Sequence, residues 1–193
     1  YEKALDCGAA EDEIYLSMAF VYENKDEYNN AIKCLRKCLK LNPDNSPALY
    51  ELAFCYEHIQ DIENSINVYQ QYIDENPYSD TAWLSLGLLY ARINDYEKAL
   101  QALDYATLAN PRSVNAFINM ANIHLIFDDY DKAIEALEAG LEIEHENTSI
   151  LCQLGGCYNF TGKHEDAKAL FSKAVNLEPL NDEAVAGMGM SYY

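Results

Sequence analysis

Residues 80–113 read DTAWLSLGLLYARINDYEKALQALDYATLANPRS. Trp83, Leu86, Gly87 and Tyr90 fall at i, i+3, i+4 and i+7, the spacing that gathers side chains on one face of a helix. Ala99, Leu103 and Ala106 set out a second face of the same kind. Asn94-Asp95 between them is a turn signal that also offers an N-cap oxygen to the second helix. Asn110-Pro111 ends it, because the residue before proline disfavours the helical region. The stretch predicts two short antiparallel helices.

The same text recurs along the chain. Pro43, Pro77 and Pro111 stand 34 residues apart, and Pro179 lies two such periods further on, with His145 in the skipped slot. With Asp12 as position 1, five full repeats run 12–45, 46–79, 80–113, 114–147 and 148–181 without insertion or deletion. Position 4 is bulky in each (Tyr15, Leu49, Trp83, Phe117, Leu151), and position 8 is small (Ala19, Ala53, Gly87, Ala121, Gly155). Position 11 is aromatic except at His124, and position 20 is small again (Ala31, Ser65, Ala99, Ala133, Ala167). Small residues at 8 and 20 let two backbones approach, while the bulky side chains at 4 and 11 fill the flanking space.

This pattern resembles the tetratricopeptide repeat, with its W-x2-L-G-x2-Y…A-x3-F…P signature. The third repeat nearly spells it, in Trp83, Leu86, Gly87, Tyr90, Ala99, Leu103 and Pro111. The resemblance covers the whole chain. It implies an all-α fold, an α-solenoid of antiparallel helix pairs wound as a right-handed superhelix, whose concave groove binds peptides or partner proteins. Two departures carry expectations of their own. Tyr72 stands at position 27, where Ala106, Gly140 and Ala174 are small, and is expected to push helices apart or lie across the convex side. His145 in place of proline predicts a longer second helix in the fourth repeat.

By the same resemblance, the first helices line the groove. Two apolar rows, Leu16, Tyr50, Leu84, Ile118 and then Phe20, Phe54, Leu88, Asn122, flank a polar row that includes Glu51, Ser85 and Asn119. Together with Glu23 and Glu57 these are the candidate peptide-binding residues, suited to an apolar-anchored and basic segment. The carboxylate clamp of chaperone-tail adaptors in this family is missing: Leu16, Phe20, Glu51, Thr81 and Ser85 stand where its Lys, Asn and Arg would. The Asn ladder of the protein O-GlcNAc transferases is absent apart from Asn119.

Charge and composition narrow the function further. Thirteen Lys+Arg face 32 Asp+Glu, a net charge of −19, which disfavours nucleic acid and anionic membrane surfaces as partners. The excess is uneven: the second repeat has six acids and no Lys or Arg, the fourth eight acids and only Lys132. Apolar residues at 50% are too many for an acidic disordered tail, and no apolar run reaches a membrane span. Cys7, Cys34, Cys38, Cys55, Cys152 and Cys157 form no C-x-x-C pair and no zinc spacing, so they read as buried free thiols of a reducing compartment, and the chain as cytoplasmic. No H-E-x-x-H, G-x-S-x-G or dinucleotide fingerprint occurs, and the run from Gly156 to Gly162-Lys163 is one residue too long for a phosphate loop and has His164 where Ser or Thr is needed. No cofactor or metal is expected, and no catalysis.

Residues 1–11 fit the end of a preceding second helix, with Tyr1 and Ala4 at positions 24 and 27. Residues 182–193 fit a first helix of a sixth repeat through Val185, Met188, Gly189 and Tyr192. An array cut at both ends leaves apolar faces that either continue or associate with another copy. The sequence therefore favours a non-catalytic scaffold with a peptide groove. A self-associating architectural array and a regulatory arm of a larger enzyme are the competing readings.

Overall fold

A computed structural model describes residues 10–191. Eleven helices occupy these residues, and no strand does. They are α1 (Glu11–Glu23), α2 (Tyr28–Leu41), α3 (Ser46–His58), α4 (Ile62–Glu75), α5 (Asp80–Arg92), α6 (Tyr96–Ala109), α7 (Val114–Ile126), α8 (Tyr130–Ile143), α9 (Thr148–Phe160), α10 (His164–Leu177) and α11 (Asp182–Met190). They follow one another as pairs, the all-α arrangement of tetratricopeptide repeats. Two compact units divide the chain, one ending at Leu89 and the other starting at Tyr90. The expectations for Tyr1, Ala4, Cys7 and Tyr192 lie outside the described residues.

One turn geometry joins the two helices of every pair. Asp26, Gln60, Asn94, Asp128 and Gly162 all have positive φ, between 55° and 77°, and stand 34 residues apart. Each sits just beyond a first helix, and the next N–H reaches back to the carbonyl at the aromatic position: Glu27 to Tyr22, Asp61 to Tyr56, Asp95 to Tyr90, Asp129 to His124 and Lys163 to Tyr158, at 2.8–3.0 Å. This is the left-handed helix stop that satisfies an orphaned carbonyl. Asp61, Asp95 and Asp129 then cap the second helix through their side chains.

In the first unit, α1 to α4 enclose Ala19, Ala31, Leu35, Cys38, Ala48 and Leu52, all buried. Ser65 replaces the usual Ala at position 20 and is fully buried; its hydroxyl donates to the Ala53 carbonyl at 2.9 Å, which offsets the cost of its desolvation. In the second unit, Ala121, Ala133, Leu137, Ile150 and Leu154 form one core, and Leu151, Phe171, Ala174 and Ala184 another. The outer end of the Phe171 ring abuts Gly155, where an added Cβ would stand 2.8 Å from it, and it crowds Gly187 more closely still. The five described cysteines, Cys34, Cys38, Cys55, Cys152 and Cys157, are free and buried, with thiols pushed up by burial.

One expectation is corrected. The fourth repeat's second helix does not run on: α2, α4, α6, α8 and α10 end at residues 41, 75, 109, 143 and 177, in constant register. At this end Asn147 donates to Glu144 at 2.8 Å and caps α9, so the chain turns without a proline. The Tyr72 ring meets Tyr50 of α3 edge-on at 5.4 Å. Met188 is half-buried, packed on the Phe171 core, and accepts the Ser172 hydroxyl.

Candidate functional site

The odd-numbered helices of the first unit carry most of the sequence-predicted groove residues. Phe20 of α1 is 40% exposed, while Leu16, one turn earlier, packs partly into the core. On α3, Glu51 and Cys55 are one turn apart and share a face. The Glu51 carboxyl is within hydrogen-bonding reach of Glu23 from α1. The Cys55 thiol, itself fully buried, donates to Glu23 Oε1 at 3.3 Å.

Burial and the neighbouring Glu23 charge raise Glu51 from the ordinary 4.5 to about 7, so below neutrality it keeps a proton that it donates to Glu23. Glu23 is raised as well, first by burial, with the Cys55 and Glu51 hydrogen bonds acting against it. The pair thus behaves as one carboxylate with one shared proton.

Rings stand beside this pair. Phe54 and His58 are 4.0 Å apart by centroid, and Tyr28 from α2 stacks on His58 at 4.6 Å and meets Phe54 edge-on at 6.4 Å. His58 Nδ1 lies 2.9 Å from the Phe54 carbonyl. One turn before Phe54 on α3, Tyr50 packs edge-on to Tyr69 at 5.7 Å and to Tyr72. Tyr69 is buried and hydrogen-bonded to Ser85 of α5, and Glu57 adds negative charge near its hydroxyl. Leu84 and Leu88 are half-buried.

In the second unit, Ile118 is partly buried against its core. Asn119 turns back and donates to the Asn115 carbonyl of its own helix at 2.7 Å, and Asn122 is exposed. Cys55, His58, Tyr28 and Tyr69 are parts of the first-unit arrangement that sequence reasoning missed. The one usable signal was the i, i+4 spacing of Glu51, Cys55 and of Phe54, His58. Among the described residues, no group of three or more His, Cys, Asp or Glu is placed to hold a metal ion, and no helix is long and apolar enough to cross a membrane.

The family model of the Cilia and flagella-associated protein 70 C-terminal domain matches residues 1–188. The chain belongs to this family. Its repeats are tetratricopeptide repeats, as in the solved structures that share the fold. A crystal structure of MamA is 25% identical with a TM-score of 0.80, covering 88% of this chain and 92% of MamA. MamA from Desulfovibrio magneticus RS-1 is 18% identical with a TM-score of 0.79, covering 90% of this chain and 98% of its own. YrrB, described as a TPR protein with an unusual peptide-binding site, is 17% identical with a TM-score of 0.79, covering 97% of both chains. No curated protein matches the sequence.

Proposed function

We propose that this chain is a non-catalytic protein-interaction scaffold whose first helices bind a peptide or helix with apolar anchors and basic residues. The observation that carries this reading is the Glu23–Glu51 pair: a half-buried, proton-sharing carboxylate site with Phe54 and His58 beside it and the exposed Phe20 on the same helix as Glu23. A Lys or Arg side chain arriving there displaces the shared proton and restores two ionised carboxylates, while apolar neighbours in the ligand cover Phe20 and Phe54. Leu16, Tyr50, Glu57, Leu84, Ser85 and Leu88 extend this surface in the first unit. Ile118, Asn119 and Asn122 are its counterparts in the second. The peptide-binding site named for YrrB supports the use of this fold for such a ligand. The family's name supports a partner in cilia or flagella.

Five or six anchors at about 1.5–3 kcal/mol each give roughly 8–18 kcal/mol of gross gain. Association costs of about 4–15 kcal/mol offset most of it, so micromolar binding is expected. The test is a display selection of random peptides against the folded chain, followed by calorimetric titration of the selected sequences. They should combine apolar residues with Lys or Arg, and Phe20→Glu and Phe54→Glu should each weaken binding by roughly ten-fold or more, about 1.4 kcal/mol. Selected peptides without basic residues, or affinities unmoved by both substitutions in proteins of unchanged circular dichroism, would remove this proposal.

A further inference from the structure

The turns of the second unit carry apolar rings that neither the cores nor the groove uses. Phe127, just beyond α7, is 60% exposed although Tyr96 meets it edge-on at 5.4 Å, and Ile126 beside it is 56% exposed. Phe160, at the end of α9, is 75% exposed while Tyr130 stacks on it at 5.2 Å. Each pair joins the start of one second helix to the end of the following first helix, so the rings recur from one repeat to the next along the edge formed by the intra-repeat turns. Isolated exposed apolar residues are ordinary, but Ile126, Phe127 and Phe160, at adjacent positions of successive repeats, form a patch.

Acidic groups outnumber basic ones around this edge. Glu97, Asp128, Asp131, Glu165 and Asp166 are exposed at the turns or in the first turns of α6, α8 and α10. The lysines nearby are already engaged: Lys98 with Asp95 at 2.8 Å, Lys132 with Asp129 at 3.1 Å, and Lys163 over the Tyr158 ring at 5.0 Å. A second copy of this chain would bring the same acidic edge against itself, which disfavours self-association here.

We infer that this turn edge is a second docking surface, distinct from the groove, for a basic amphipathic helix of another protein. An amphipathic helix presents apolar side chains on one face and Lys or Arg on its flanks. Its apolar face covers Phe127 and Phe160, and its flanks meet Asp128, Asp131 and Glu165. A scaffold holding one ligand in its groove and another on its turn edge joins two partners.

The probe is a fluorescein-labelled synthetic helix of Leu and Lys with Leu at helical spacing, read by polarisation against the intact chain. A Phe20→Glu/Phe54→Glu variant silences the groove and should still bind the probe. Adding Phe127→Ser and Phe160→Ser should weaken that binding ten-fold or more, and Phe160→Ser alone should give a smaller loss. These rings are exposed, so circular dichroism should be unchanged. A Leu/Glu helix of the same pattern should fail to bind. The inference is overturned if the groove-silenced protein no longer binds the probe, if the ring substitutions leave its affinity unchanged, or if the Leu/Glu helix binds equally well. It is also overturned if sedimentation shows a dimer that Phe127→Ser/Phe160→Ser dissolves, since a second copy then occupies the edge.

Discussion

Replacing Glu51 by Gln should stabilise the protein above neutral pH and leave its stability unchanged in acid. In the folded chain Glu51 titrates at about 7, against the ordinary 4.5 that it has when unfolded. Between these two values the folded state holds a proton that the unfolded state has released. Stability therefore falls as pH rises through this window and levels off above it. At 1.36 kcal/mol per pH unit the full difference is about 3.4 kcal/mol. Glu51 is only half-buried, so solvent screening lowers the expected effect to about 1–2 kcal/mol. Gln keeps the size of the side chain and a donor for Glu23, but cannot ionise. Urea unfolding of the wild type and Glu51→Gln at pH 4, 6 and 8 should show the variant ahead by that amount at pH 8 and level at pH 4. The comparison cancels the general effect of acid on a chain of net charge −19. A variant no more stable than wild type at pH 8, or an advantage equal at pH 4 and pH 8, refutes the shared proton.

Other outcomes follow from the backbone and the core. Gln60 occupies a left-handed turn position with φ of 63° that glycine fills at Gly162. Relief of about 1–2 kcal/mol of strain, less roughly 0.5–1 kcal/mol of glycine entropy, predicts that Gln60→Gly raises stability by about 0.5–1 kcal/mol, whereas Gln60→Ala gives no gain in urea midpoint. Gly187→Ala should cost about 1–3 kcal/mol because its methyl meets the Phe171 ring, and Phe171→Leu in the same chain should recover part of that loss in a double-mutant cycle.

The helix pairs were legible because their signal is redundant. Small residues at positions 8 and 20, bulky side chains at 4 and rings at 11 recur often enough that a single exception such as His124 does not blur the register. His145 misled for a physical reason. Proline accompanies the end of the second helix, but what turns the chain is the polar residue at the helix end together with the capping Asn of the next helix; in the fourth repeat Glu144 and Asn147 do this. The Tyr72 ring rests on Tyr50, a ring contributed by another helix that no spacing within α4 encodes. The candidate site shows the same limit. Glu23 and Glu51 were visible one at a time, at different positions of different repeats. Their shared proton exists only because α1 and α3 bring them together over Cys55, a proximity that no spacing within one repeat encodes.

The contacts that tie the chain together fall into two classes with different consequences for its ancestry. Asn42 reaches Asp12, Asn76 reaches Ser46, and Glu178 receives Thr148, each bond joining the end of a helix pair to its own beginning. Such a bond is carried along intact whenever a 34-residue block is copied or lost. The ring pairs Tyr28–His58, Tyr96–Phe127 and Tyr130–Phe160 instead join one block to its successor. Gene duplication preserves the first class automatically, while shuffling the blocks scrambles the second. The order of the repeats is therefore inscribed along their turns, where a change of neighbour leaves every fold unit whole and still erases the sequence of surfaces.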